Sequence, residues 1–450
     1  MEWKYLLNPN RCGDTASALS DNEVRSDFQR DYDRIIFSTA FRRLQNKTQV
    51  FPLPETDFIH TRLTHSLEAS CVGRSLGKTA AMKIMHQFPG DFKQLPVTAD
   101  DMASIVSAAC LAHDIGNPPF GHSGEDAISE YFLSNSEILT ELTDKQRYDL
   151  THFEGNANGF RVLTYTDPRQ SQIQGGLQLT FATLGAYSKY PKEATPCLSD
   201  HSLASEKKYG FFQSERSVFH QVAEQLRLLP NQACDDYRWK RHPLAFLVEA
   251  ADDICYLIMD LEDGFKLKLV SFEEAMEELM PIINWNTSSS KRMDAILDTH
   301  EKLGYLRAKA INALINQTAD TFTENYRDIM AGDFDKPLTQ LIPNAEAIAS
   351  IRTKSRQQVY SHQPAVEIET AGFEIIYGLL DAFLNATFKT GSKRYNKFSQ
   401  LLPPMLRNRK LPLENKYETI IEIVHYIAGM TDNHALNTYR TIKGISLPRY

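Results

Sequence analysis

The chain has no apolar run approaching the ~18 residues needed to cross a bilayer, so no membrane span is expected. Its six cysteines, Cys12, Cys71, Cys110, Cys197, Cys234 and Cys255, include no CxxC pair, which argues against a zinc ribbon or a disulfide framework. Cys110 and Cys255 fall inside apolar, helix-like stretches and read as reduced, buried thiols of a cytoplasmic protein. The first residues, Met-Glu-Trp-Lys-Tyr-Leu-Leu, lack a long apolar run after the lysine, so no secretory signal is expected. Positive charge is in deficit. With 49 Lys and Arg against 57 Asp and Glu the net charge is −8, which speaks against a surface built for non-specific nucleic-acid binding. A local basic pocket is still allowed. Alternating strand patterns are few, and there is no internal repeat or low-complexity tract.

What is present is helical. Residues 101–113 (DMASIVSAACLAH) form a compact apolar run suited to a buried helix. Residues 244–263 place apolar side chains at three- and four-residue spacing with carboxylates between them. Residues 369–388 and 416–430 read as amphipathic helices, while 171–187, with a glycine pair and β-branched residues, reads as either helix or strand. Loops are expected at 51–57, 89–100, 134–150, 190–207 and 401–415, the third and fourth polar enough to be mobile. The fold is expected to be mainly α, a helical core with additional C-terminal helices. A soft break near 266–285 divides a chemistry-bearing part, 1–265, from a C-terminal helical part, 266–450, that packs on it and completes the site or an oligomer.

Residues 113–125 read His-Asp-Ile-Gly-Asn-Pro-Pro-Phe-Gly-His-Ser-Gly-Glu. The Gly-Asn-Pro-Pro-Phe-Gly stretch cannot continue a helix. The spacing predicts a helix ending near His113 and Asp114, a rigid turn, and His122 and Glu125 folded back towards the same cavity. Imidazole and carboxylate together suit a divalent ion of the Mn, Fe, Co, Ni or Zn kind, held by three or four ligands. Further ligand candidates are His65, in Arg-Leu-Thr-His-Ser, and a carboxylate from 244–263. On that helix Asp252, Tyr256 and Asp260 share one face, with Glu249 close to it and Asp253 about a quarter-turn away. Four carboxylates on an otherwise apolar helix imply that one face meets a polar site. Each residue alone has a plainer reading: His65 hydrogen-bonded, His122 capping a turn, Tyr256 in the core, Asp252 and Asp253 solvated.

These motifs, with Glu-Ala-Ala-Asp-Asp-Ile-Cys-Tyr at 249–256, resemble the HD-domain phosphohydrolases, and within them the deoxyguanosine triphosphate triphosphohydrolases. The stretches beginning at Asp33, Phe41, His152, Lys208 and Tyr426 agree, and the likeness is densest over residues 25–265. The resemblance implies a metal held by His65, His113, Asp114 and Asp252, most readily Mn or Mg, with Co, Ni, Fe or Zn as alternatives. It implies catalytic roles for His122 and Glu125, and substrate contacts from Gln49, Arg62, Asn156, Lys189, Tyr190, Lys208, Tyr256 and Asp260, with Glu369 a weaker match to a base-contacting glutamate. It also implies a C-terminal arginine, for which Arg394 is a loose candidate, a homo-oligomer of hexameric type, and single-stranded DNA as a further partner.

The chemistry agrees independently. A triphosphate carries about four negative charges, which Arg62, Lys189 and Lys208 can meet as fork and point charges. The expected activity is hydrolysis of dGTP to deoxyguanosine and triphosphate by attack at the α-phosphorus. Alternatives are another HD enzyme acting on a guanosine tetraphosphate, a cyclic dinucleotide or a nucleoside monophosphate, and a DNA-binding sensor with a vestigial site.

Overall fold

The computed structural model describes residues 1–13, 24–49, 60–167, 171–196, 203–231, 237–360, 363–389, 392–402, 404–407 and 415–446. Regular structure among them is helical, with only isolated β-bridges, so the mainly α expectation holds. No described helix is long and apolar enough to cross a membrane. Cys12, Cys110 and Cys255 are buried free thiols and Cys71 is an exposed one; Cys197 and Cys234 lie outside the described residues.

The centre is built from four helices. Arg62–Gln87 packs along Ala99–Ala112, and Pro243–Lys266 and Thr299–Glu324 pack against it. Thr61 caps the first of these through a reciprocal hydrogen-bond pair with Thr64, and Thr98 with Asp101 does the same for the second. Small residues let the two approach closely: a Cβ on Gly73 would lie 2.5 Å from Cys110 Sγ. Pro243 occupies the first turn of its helix, where a missing N–H costs nothing.

The expected helices at 101–113, 244–263, 369–388 and 416–430 correspond to Ala99–Ala112, Pro243–Lys266, Gln363–Phe388 and Lys416–Ala428. The ambiguous stretch 171–187 yields a short helix, Phe181–Tyr187, and one bridge between Arg11 and Thr180. The reading of 134–150 as loop is corrected: it holds the short 3₁₀ turn Ser136–Leu139 and the helix Asp144–Thr151, which Thr143 caps with Gln146. Polarity there reflects a solvent-facing helix. The loop expected at 51–57 lies outside the described residues.

Two buried apolar clusters result. One runs from Trp3 to Val359 around the central helices. The other joins His122–Ser134 and its neighbours to the C-terminal helices Gln363–Phe388, Lys416–Ala428 and Asp432–Lys443. The C-terminal helices also brace the 113–122 turn by polar contacts. Asp432, 2% exposed, accepts hydrogen bonds from Thr48 N (2.9 Å), the Thr48 hydroxyl and Phe120 N (3.1 Å). Asp432→Ala would strand these buried donors, so a stability loss of about 1–3 kcal/mol is expected, read from urea denaturation; an unchanged midpoint would remove Asp432 from the bracing role.

Candidate active site

The Ala99–Ala112 helix ends at His113, whose backbone caps it and whose Nδ1 lies 2.7 Å from Cys110 O. That carbonyl can only accept, so Nδ1 carries a proton. Against burial, Asp252 and Asp114 favour a second proton on Nε2, and its loss leaves a lone pair there for a metal. The chain then turns through Gly116, where a Cβ would fall 2.0 Å from Gly159 N. Phe120 follows at φ +62°, a left-handed conformation that costs a bulky side chain about 1–2 kcal/mol, and its N–H bond to Asp432 helps hold it. Gly121 continues at φ +60° and the next helix starts at His122. The expected helix, turn and return are therefore present.

His65 lies one turn into its helix. Its Nε2 is 3.1 Å from Asp252 Oδ1, and His113 Nε2 is 3.3 Å from the same oxygen. The donor atoms of His65, His113 and Asp252 all lie within 4.8 Å of one another. Two imidazole nitrogens and one carboxylate oxygen suit a divalent ion. Asp114 stands beside this group, its Oδ1 3.4 Å from His113 Nε2. That oxygen accepts from Asn117 Nδ2 at 2.6 Å, while Oδ2 accepts from Arg62 Nη1 at 2.7 Å.

The electrostatics follow from burial and pairing. Burial alone would raise the Asp252 pKa, but Lys189 Nζ at 2.5 Å and the two histidines hold it well below the usual carboxylate range. Burial opposes charge on Lys189, and Asp252 outweighs it and raises its pKa. Asp114 is likewise held down against burial by Arg62 and the histidines.

These groups open on a cavity of about 350 Å³, within the range of small-molecule sites. Of the sequence-derived substrate contacts, Gln49, Arg62, Asn156, Lys189, Tyr190, Lys208, Tyr256 and Glu369 line it. His122 Nδ1 lies 2.9 Å from Glu125 Oε2, and Glu125 Oε1 accepts from Gly155 N at 2.7 Å. The imidazole is 83% exposed while the carboxylate is buried, so the ring projects into the opening from a fixed base. The hydrogen bond that His122 Nδ1–H donates to Glu125 raises the His122 pKa; that bond and Lys208 lower the Glu125 pKa against burial. Lys208 pairs with Glu154 at 3.0 Å. Glu369 is at the rim and exposed.

Two sequence expectations are displaced. Asp260 is not part of the cavity lining; it is 3% exposed and accepts a hydrogen bond from the Tyr360 hydroxyl. One further helical turn carries it past the opening, and Tyr360 covers it. Arg394 also lies off the lining, its guanidinium 5.3 Å from the Phe398 ring. Glu249 is engaged by Arg241 at 2.8 Å. Sequence reasoning missed Thr48, Asn117, Phe120 and Tyr360 as lining residues and left Asp253 without a role. Tyr360 stacks on Tyr256 with ring centroids 6.0 Å apart, and Asp253 accepts from Thr339 Oγ1 at 2.6 Å. Asn117 lies inside the turn motif and was legible there; nothing near Tyr360 marks it.

Burial pushes the Asp260 carboxyl from an ordinary 3.8 up to about 7. The folded state therefore binds this proton more tightly than the unfolded chain, so its contribution to stability is complete below pH 3.8 and lost as pH rises through about 7. Asp260→Asn keeps an acceptor for Tyr360 without the charge. It is expected to stabilise the protein by a few kcal/mol at pH 8, at about 1.4 kcal/mol per pKa unit, and far less at pH 5. Denaturation at both pH values checks this; equal shifts would place the charge in contact with water.

Residues 62–153 match the HD domain model and residues 343–441 the phosphohydrolase-associated domain model. Deoxyguanosinetriphosphate triphosphohydrolase-like proteins of Synechocystis sp. and Pseudomonas aeruginosa are 41% and 39% identical, the alignments covering 99% and 100% of this chain and 100% of each relative. The deoxyguanosinetriphosphate triphosphohydrolase of Salmonella paratyphi A is 30% identical over 95% of both chains. With its HD domain, its helical fold and this full-length likeness, the chain belongs to the deoxyguanosinetriphosphate triphosphohydrolase-like family of HD phosphohydrolases.

Proposed function

We propose that the cavity hydrolyses a deoxynucleoside triphosphate, dGTP first among them, to the deoxynucleoside and inorganic triphosphate. The supporting observation is that His113 and Asp252, which with buried His65 form the donor group, the His122–Glu125 pair and three cationic side chains line one nucleotide-sized cavity. His65, His113 and Asp252, with Asp114 beside them, would hold a divalent ion, and the nitrogen-rich donor set favours Mn over Mg. When bound, the ion lowers the pKa of water and polarises a phosphoryl oxygen.

The protein's own groups supply the rest. A water oxygen forms a bond to the α-phosphorus as the water gives up a proton to solvent, and the bond from that phosphorus to the 5′ oxygen breaks. His122 gives its Nε2 proton to the leaving 5′ oxygen, while Glu125 stabilises the charged ring and the Gly155 N–H holds Glu125. His122 regains a proton from solvent after the turnover. Arg62, Lys189 and Lys208 meet the phosphates. Tyr256 lies against C2′ and crowds out a 2′-hydroxyl. Asp260, expected among the substrate contacts, is covered by Tyr360; Tyr360 lines the cavity and would meet the 3′-hydroxyl, with Asp260 orienting its hydroxyl.

In this reading residues 1–265 carry the chemistry and 266–450 complete the site through Tyr360, Glu369 and Asp432. A cytoplasmic homo-oligomer and single-stranded DNA as a partner belong to it as well, read by light scattering and by strand-binding titration.

His122→Ala is expected to lower kcat by about 10²–10⁴, with binding of a non-hydrolysable dGTP analogue nearly unchanged. His113→Ala and Asp252→Ala should lose bound metal in elemental analysis. Ion-exchange chromatography of the products decides the reaction class: triphosphate supports the proposal, whereas orthophosphate or pyrophosphate moves the enzyme to another phosphoester.

Sugar selection has its own test. Tyr256→Ala should relax the preference for dGTP over GTP, measured as a ratio of kcat/KM, by roughly tenfold or more, about 1.4 kcal/mol. A ratio equal to wild type in a folded variant would return Tyr256 to a packing role.

A further inference from the structure

We propose that a second cavity, behind the 113–122 turn, is a binding site for a small phosphate-bearing molecule. Its volume is about 410 Å³, and it shares no lining residue with the active-site cavity. Arg43, Lys47 and Arg161 line it, against the single carboxylate of Glu422, and Tyr165 and Tyr426 supply aromatic walls.

Two of these cations are deeply buried and incompletely paired. Lys47 is 3% exposed and donates to Asn117 O at 2.5 Å and Ala428 O at 2.7 Å. Burial pushes the Lys47 pKa down to about 7. In its protonated form it has three donors, and among the described residues the third N–H then has no partner, so an anion beside it would favour that form. Arg161 is 1% exposed; its Nη1 donates to Glu215 and to Ser214 Oγ, while Nε and Nη2 have no partner among the described residues. Its guanidinium lies 3.9 Å from the centre of the Tyr165 ring. Buried donors left unmade cost about 1–3 kcal/mol each, and phosphate oxygens are the acceptors that match a guanidinium fork and a nearby ammonium.

The field in the cavity is positive. Burial, together with Arg161, Lys47 and Arg43, pushes the His425 pKa down to about 3, so this lining imidazole is neutral. Glu422 offsets part of the charge, and its carboxylate accepts from the Tyr165 hydroxyl at 3.0 Å. The wall towards the active site is thin. Ile115 lines the second cavity, Lys47 holds the Asn117 carbonyl, and Asn158 Nδ2 donates to Gly116 O at 2.6 Å. A ligand that draws on Lys47 therefore acts on the turn that carries Asp114 and His122.

Isothermal titration of the full chain with inorganic tripolyphosphate tests this, with inorganic phosphate and dGMP titrated in parallel to show whether free phosphates or nucleotides supply the group. Two tripolyphosphate sites per chain are expected. Arg43→Glu and Ala40→Glu, each placing a carboxylate on the cavity wall, should weaken one site at least tenfold, and Lys208→Ala should weaken the other. Binding unchanged in both wall variants, or no binding of any of the three probes outside the Lys208-sensitive site, overturns the inference while the proposed activity stands. Binding sensitive only to the wall variants supports the inference and overturns the phosphate role of Lys208.

Discussion

The 113–122 turn carries His113 and Asp114 at its start and His122 at its end, three side chains that line one cavity, on a backbone that is neither helix nor strand between them. It closes part of its own backbone, Asn117 N on Asp114 O and Gly121 N on Pro118 O, and other carbonyls and N–H groups are satisfied from outside. Asp432 accepts from Phe120 N, Lys47 donates to Asn117 O, and Asn158 donates to Gly116 O. These three side chains come from widely separated parts of the sequence, and each is buried. The turn's geometry is thus imposed by the folded molecule, which explains how a left-handed Phe120 persists at the mouth of a site.

The same logic governs charge. Each cation that the sequence offered to the phosphates already has a carboxylate: Arg62 with Asp114, Lys189 with Asp252, Lys208 with Glu154. Isolated charges could not be buried here at tolerable cost. The pairs hold Asp114 and Asp252 ionised against burial, while burial pushes the Glu154 carboxyl up to about 7 despite Lys208. Under the proposed function a triphosphate would draw on Arg62, Lys189 and Lys208, and a divalent ion on Asp114 and Asp252, the two carboxylates beside His65 and His113. Little reorganisation is then left for the reaction itself.

Much of this was legible in the sequence, and the limits are instructive. The helices at 99–112 and 243–266 announced themselves by apolar periodicity, and His113, Asp114, His122 and Glu125 by an interrupted motif that packing could not explain. The cavity residues at 49, 62, 156, 189, 190, 208, 256 and 369 came through resemblance, because no local pattern shows which distant lysine or tyrosine a fold will bring to a given wall. Helical periodicity placed Asp252, Tyr256 and Asp260 on one face correctly, yet a shared face does not give shared access. A helix runs past its cavity, and Tyr360, a hundred residues on, closes over Asp260. The segment 134–150 was misread because polarity marks solvent, which a surface helix meets as readily as a loop.

The C-terminal helices reach the site from two sides. In front, Tyr360 and Glu369 line the cavity where a nucleoside would lie. Behind, Asp432 braces Thr48 and Phe120, and Ala428 with His425 closes on Lys47 and Asn158. Movement of these helices would therefore alter the cavity wall and the backbone of the 113–122 turn together, because the same elements touch both. The second cavity lies on that rear contact, between Arg43 and Lys47 on one side and Glu422, His425 and Tyr426 on the other. A charged ligand there would bear on the joint between the two parts of the chain, a place where a small change in contact reaches both ends of the turn, at His113 and at His122.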